Sequence, residues 1–211
     1  MERIKYPRTY HIWFSEGVQS DDRIQKDTRF FEGKNIVVTE KMDGENTTIS
    51  RDYIHNRSLD ASDHPSRNWV KQLWANIRFQ IPEGWRVCGE NVYAKQTILY
   101  EDLESYFYVI CIWNEKNECI SWEETKKWCE ILGLFYVKEL YSGVYDEQAI
   151  RSVIKTLDLS VCEGIGIRLA NAFHYDTFSL SLLKWVRQNH VQVGEKWLFQ
   201  EVVPNGLKKG Q

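Results

Sequence analysis

The sequence has no long hydrophobic run, no excess of positive charge, no paired cysteines and few prolines, and each absence removes a class of protein. Its longest apolar stretch, residues 106–113, is far too short to cross a bilayer. The N-terminal MERIKYPRTY lacks the apolar core of a secretory signal, so the expected compartment is cytoplasmic. A formal net charge of −3 argues against a protein that coats duplex nucleic acid, because such proteins rely on a strong positive field. It still leaves room for a local basic groove. The five cysteines (Cys88, Cys111, Cys119, Cys129, Cys162) contain no CxxC pair. Cys111, Cys119 and Cys162 sit in or beside apolar runs, so buried reduced thiols are expected rather than disulfides or zinc. His55, His64, His174 and His190 show no metal-ligand spacing. There is no Walker phosphate loop, and Gly164-Ile165-Gly166 is only a fragment of a GxGxxG fingerprint. The four prolines are scattered and no linker or repeat interrupts the chain, so a single domain over residues 1–211 is expected.

What is present reads as globular: 43% hydrophobic and 27% charged residues. Nine Trp and eleven Tyr are many for this length; most belong in a core, and some can serve as platforms for bases. Strand-type runs fall at residues 35–42, 47–52, 85–92, 106–113, 134–140, 164–169 and 180–186. Helical periodicity marks residues 68–79, 121–132 and 146–157. The second opens on a capping box, Ser121 with Glu124, and stops at Gly133; the third follows an Asp146 cap. Strands outnumber helices without strict alternation, which predicts an α+β fold with mainly antiparallel sheets flanked by helices.

The sharpest local feature is Glu40-Lys41-Met42-Asp43-Gly44-Glu45-Asn46 at the end of a β run. Alone, Asp-Gly beside a strand reads as a hairpin turn with a lysine at its edge. A lysine fixed before a tight turn can instead be held beside a cleft as a nucleophile, provided burial or neighbouring cations lower its pKa. Downstream, in order, lie Asn56-Arg57-Ser58, Gly89-Glu90, Glu163-Gly164-Ile165-Gly166-Ile167-Arg168 and Lys184-Trp185-Val186-Arg187, most of them bordering β runs.

This ordered set resembles the motifs of the covalent lysine nucleotidyltransferases: KxDG at Lys41 to Gly44, NRS at Asn56 to Ser58, GE at Gly89-Glu90, EGxxxR at Glu163 to Arg168, and a final lysine at Lys184. Among these families, the stretches GENVYAKQTILYEDLESYFYVICIW and LLKWVRQNHVQVGEKW look most like ATP-dependent RNA ligases. The resemblance implies the nucleotidyltransferase architecture of an ATP-grasp-like ligase catalytic core, without an appended OB-fold. It implies ATP, with Mg²⁺ or Mn²⁺, as cofactors. It also implies RNA ends bearing 5′-phosphate and 3′-hydroxyl groups as substrates. A minimal DNA ligase and a non-catalytic nucleic-acid-binding relative are the alternatives.

On that resemblance Lys41 attacks the α-phosphate, Glu90 accepts from the ribose hydroxyl, and Arg57 contacts the ribose and phosphate region. Glu163 helps hold the metal, and Lys184 sits on the α-phosphate. Glu40, Asn46, Ile110 and Arg187 complete the expected nucleotide site. Two of these depart from the common pattern: Ile110 stands where relatives carry an aromatic, and Val186 takes the place of a second lysine, with Arg187 following. The chain ends soon after Lys184, so strand specificity is expected from the core, an N-terminal patch or a partner protein. Arg8, Arg67 and Lys95 are further groove candidates.

Overall fold

A computed structural model of the chain describes residues 3–59, 63–188 and 201–209. The strands are β1 (Tyr10–Ile12), β2 (Ile24–Gln25), β3 (Asn35–Lys41), β4 (Glu45–Ser50), β5 (Ile54–Asn56), β6 (Arg86–Asn91) and β7 (Phe107–Trp113). They continue as β8 (Glu118–Cys119), β9 (Phe135–Tyr136), β10 (Glu139–Val144), β11 (Gly164–Leu169), β12 (Phe173–His174) and β13 (Leu182–Val186). Helices α1 (Asn68–Ile77), α2 (Trp122–Leu132) and α3 (Glu147–Thr156) lie among them. Each predicted helix and each long predicted strand is present. The run at 134–140 divides into β9 and β10, which join different sheets.

One sheet runs in the order β10-β3-β11-β13-β1-β2; the other runs β12-β8-β7-β6-β4-β5, with β9 beside β7. Among the described residues, most pairings are antiparallel, and β1·β13, β1·β2 and β7·β9 are parallel. The fold is therefore α+β, with one mixed sheet facing another.

Alternation along the strands builds the layers. Ile36, Val38, Ile165, Ile167, Leu183 and Trp185 bury the outer face of the first sheet against Ile150 of α3. Ile49, Val87, Phe107 and Val109 bury the outer face of the second against Val70 and Ile77 of α1 and Cys129 of α2. The residues between them in sequence then point inward, where the sheets meet. At one end of that interface the filling is apolar (Val37, Met42, Val92, Tyr108, Val137). Elsewhere it is polar, and there a cleft opens.

Helix α2 ends as the sequence predicts, with the reciprocal Ser121–Glu124 box and Gly133 at φ 64°. All five cysteines are buried with free thiols. No helix among the described residues is long and apolar enough to cross a membrane.

Arg168, the last residue of the fourth motif, is 2% exposed and works as a strut between the sheets. Its guanidinium donates to the carbonyls of Ile110 at 3.1 Å and Ile120 at 2.9 Å. Gly164 allows the tightest contact in the first sheet: a β-carbon there would lie 2.1 Å from the Trp185 carbonyl oxygen. Because that obstacle is backbone, Gly164→Ala is expected to destabilise the fold by about 1–3 kcal/mol, read as a lower denaturant midpoint. An unchanged midpoint would show that β11 and β13 do not approach this closely.

Candidate active site

Lys41 is the last residue of β3, and the chain then leaves its sheet. Met42-Asp43-Gly44 is not a hairpin, since β3 and β4 belong to different sheets; it carries the chain across the gap between them. Asp43 fixes the crossing. Its carboxylate accepts from Thr97 N at 2.7 Å and Ile98 N at 2.8 Å, while its own N–H donates to the Tyr100 hydroxyl at 2.8 Å. Gly44 is needed because a β-carbon there would stand 2.6 Å from the Asn91 carbonyl.

Sheet register assembles the rest. Gly164 of β11 pairs with Lys41, while Gly166 pairs with Thr39 on one side and Lys184 on the other. Residues two apart share a face, so Lys41 and Lys184 stand on one face with the two glycines between them. The missing side chains keep that floor clear. From the opposite sheet, Asn46 and Glu90 face each other across β4 and β6.

The resulting cleft has a volume of about 500 Å³, within the usual range for a small-molecule site. Of the residues the sequence singles out, Glu40, Lys41, Asn46, Arg57, Glu90, Ile110 and Lys184 line it, as do Arg8 and Arg67. Glu163 stands behind Lys41, and Arg187 follows β13 with its N–H on the Glu163 carbonyl at 3.0 Å; neither lines the cleft. Lys95 is also outside the wall, its N–H bonded to Val203 O. His64 and His174 accept backbone N–H groups at 3₁₀-helix starts. His190 and residues 189–200 of the last motif lie outside the described residues.

Three ion pairs organise the charges. Lys41 Nζ donates to Glu163 Oε2 at 2.5 Å, with both groups largely buried. Arg67 grips Glu45 with two bonds of 2.6 and 2.7 Å. Lys184 Nζ lies 3.3 Å from Asp22 Oδ1. Asp22 also faces Nε2 of fully buried His11 at 3.0 Å, whose Nδ1 meets Ser15 Oγ at 2.8 Å.

Burial alone would depress the Lys41 pKa, but the carboxylates of Glu163, Glu90 and Asp43 outweigh it and raise it. The pull of those carboxylates favours the ammonium form of Lys41, so a nucleophilic amine there must first give up a proton. Lys184 is lowered, first by burial, with Lys41 adding repulsion. Glu90 is pushed up to about 8, by burial above all, with Glu163, Asp43 and Glu45 adding like charge against the pull of Lys41.

Sequence reasoning missed Asp22 and His11. They come from the N-terminal segment, where β1 and β2 are three and two residues long, too short to show any periodicity. It also missed the apolar wall of Met42, Val137 and Leu182 around Ile110.

Two tests bear on the fit of the expected ligands. The Asn46 amide oxygen is buried with no hydrogen-bond partner, as a site awaiting a polar ligand group would leave it. For a divalent cation, no group of three or more His, Cys, Asp or Glu among the described residues has ligating geometry. The Glu163 carboxylate, at the Lys41 amine, is a hard oxygen donor of the kind that Mg²⁺ takes together with phosphate and water oxygens.

The fold matches solved ligase structures of the nucleotidyltransferase class. Against an archaeal ATP-dependent RNA ligase the TM-score is 0.60 at 16% identity, over 86% of this chain and 48% of that one. A Naegleria gruberi RNA ligase with PPi gives 0.58 at 16%, over 88% and 61%. A putative ATP-dependent DNA ligase from Aquifex aeolicus gives 0.55 at 19%, over 86% and 49%. The chain thus spans about half the length of the archaeal and Aquifex proteins. The RNA ligase family profile matches residues 34–186, and the chain belongs to that family. No curated protein sequence matches it significantly.

The Glu90 shift has a consequence for stability. Its folded pKa lies above its ordinary value, so the folded chain holds a proton that the unfolded chain releases, and stability falls as pH rises from about 4.5 to about 8. Glu90→Gln is expected to remove that part of the slope, gaining on the wild type in thermal midpoint toward pH 8. A difference independent of pH would rule out a protonated Glu90.

Proposed function

We propose that the chain is an ATP-dependent RNA ligase that joins 5′-phosphate and 3′-hydroxyl ends through a Lys41–AMP phosphoramidate and an adenylylated RNA end. The observation that carries this reading is a buried lysine on the floor of a nucleotide-sized cleft, with a second lysine on the same sheet face and a carboxylate at its amine.

The Lys41 amine attacks the α-phosphorus of ATP; an N–P bond forms and the bond to pyrophosphate breaks. Glu163, at 2.5 Å, is placed to take the proton that the amine must lose. Taking that proton also removes the Glu163 charge, the largest of those that raise the Lys41 pKa. Burial and the nearby Lys184 then favour the neutral nucleophile, against the smaller pull of Asp43 and of any ionised Glu90. In the second step a 5′-phosphate oxygen attacks the same phosphorus and Lys41 leaves. In the third, a 3′-hydroxyl oxygen attacks the RNA phosphorus and AMP leaves. Each is an in-line phosphoryl transfer, in which positioning and charge supply the catalysis.

Lys184 offsets the charge developing on the α-phosphate, and Arg57, exposed at the cleft rim, reaches the ribose and phosphates. Glu90, protonated at neutral pH, has a hydrogen to give as well as lone pairs for a ribose hydroxyl. Asn46 offers its free amide oxygen to an adenine amino group, and the Ile110–Val137 wall takes the ring. Glu163 would hold Mg²⁺ or Mn²⁺; when bound, the cation supplies charge neutralisation at the phosphates.

Incubation with ATP labelled at the α-phosphate, followed by denaturation, tests the reading. Wild type is expected to retain the label and Lys41→Ala to retain none; GTP should compete poorly. An unlabelled wild type, or a labelled Lys41→Ala, would refute it. Sealing of all-DNA nicks as fast as RNA-containing ones would shift the assignment to a DNA ligase.

The N-terminal wall gives a second prediction. Asp22→Asn frees Lys184 from its partner and is expected to slow single-turnover label transfer roughly 10- to 100-fold, with little change in thermal midpoint. Wild-type rates would show that Lys184 needs no anchoring.

A further inference from the structure

The cleft continues beyond the nucleotide. Asn56, Ser58 and Arg67 line it, and they also line a second hollow of about 270 Å³ between β5 and α1. From Arg67 onward, α1 presents Lys71, Trp74 and Arg78 at intervals of four, three and four residues, the spacing of a single helical stripe. At about 1.5 Å per residue, the stripe extends roughly 16 Å away from the cleft.

It ends on an unusual group. Phe79 is 70% exposed, the highest of the large hydrophobic side chains described. The Arg78 guanidinium lies 4.9 Å from its ring centre and 4.6 Å from that of Trp74, while Arg51 lies 5.8 Å from the Phe79 ring. Trp74 is fixed by a bond from its indole N–H to the Ser50 carbonyl at 2.7 Å. An exposed ring costs solvation and has no packing role here, yet two cations hold it in place. Nearby acids temper the charge without cancelling it: Lys71 pairs with Asp63, and Asp52 is exposed beside Arg51.

We propose that this stripe is a docking track for a single strand of RNA, with backbone phosphates along Lys71 and the exposed Arg51 and a base stacked on Phe79. Cations alternating with flat rings suit a polynucleotide, whose charge repeats along the chain and whose every base offers a face. A protein partner would bring apolar side chains, and the track offers one exposed ring rather than an apolar face. Continuity with the cleft sets the direction: the strand's reactive end lies at Lys41 and its body runs outward along α1.

This inference rests on the ligase reading, and two readouts on the full chain separate their failures. The first is anisotropy of a labelled, 5′-phosphorylated RNA of about ten nucleotides, a length that fills both cleft and track. The second is transfer of label from ATP to Lys41. Phe79→Ala is expected to weaken RNA binding roughly tenfold, Arg78→Ala to weaken it and flatten its salt dependence, and Phe79→Trp to retain it. Label transfer and thermal midpoint should stay at wild-type values in all three. An RNA too short to reach Phe79 should bind wild type and Phe79→Ala alike. Equal affinity of wild type and Phe79→Ala for the long RNA, or no RNA binding by the wild type, would overturn the track. Absence of label transfer alongside a Phe79-dependent affinity would instead overturn the ligase reading and leave the track standing.

Discussion

The contact on which the site depends is the ion pair between Lys41 and Glu163, 2.5 Å long and largely shielded from water. It joins β3 to the residue entering β11, so the register of those strands and the position of the reactive amine are one constraint. A shift of one residue would turn Lys41 toward the outer core. The pair also sets the resting state. A buried lysine without a counter-ion tends to lose its proton, whereas the Glu163 carboxylate raises the pKa of this one.

Two kinds of residue let the sheets form a cleft rather than a closed sandwich. Gly164 and Gly166 remove side chains from the floor, and the tight approach at Gly164 shows that the backbone already fills the space beside Trp185. Arg168 then props the sheets apart deeper in the interface. Its hydrogen bonds go to the carbonyls of Ile110 and Ile120, so the second sheet holds its place relative to the first. The arginine of the fourth motif thus shapes the pocket without entering it, while its first residue, Glu163, touches the amine. One short motif serves both frame and chemistry.

Much of this was legible in the sequence, and the limits follow from range. Helix caps and strand alternation are local, so α2 with its capping box and β11 with its six residues could be placed within a residue or two. The ordered motifs marked Lys41, Glu90 and Lys184, and all three lie in strands, Lys41 at the end of β3 and the others within β6 and β13. Pairings between distant short segments leave no such trace. β1 and β2 add a parallel edge through contacts with β13, more than 150 residues away, and Asp22 reaches Lys184 only because they do. The resting charge of Lys41 was hidden for the same reason: burial is suggested by a residue's own neighbours, but the carboxylates that raise its pKa are brought near only by the fold.

The charge pattern of the cleft reconciles an acidic chain with the polyphosphate ligand proposed for it. Lys41, Lys184 and Arg67 each face a carboxylate partner, Glu163, Asp22 and Glu45. Without those carboxylates the two lysines on the floor would repel each other and burial would favour their neutral forms; both effects already act on Lys184, whose pKa is lowered. Paired, they stay charged and oriented. A phosphate entering the cleft therefore exchanges one anionic partner for another instead of neutralising bare charge. That exchange makes binding weaker than the cation count implies, but more selective, because the incoming group must match geometry that carboxylates have set. Arg57, at the exposed rim, needs no such partner and can meet the ligand first.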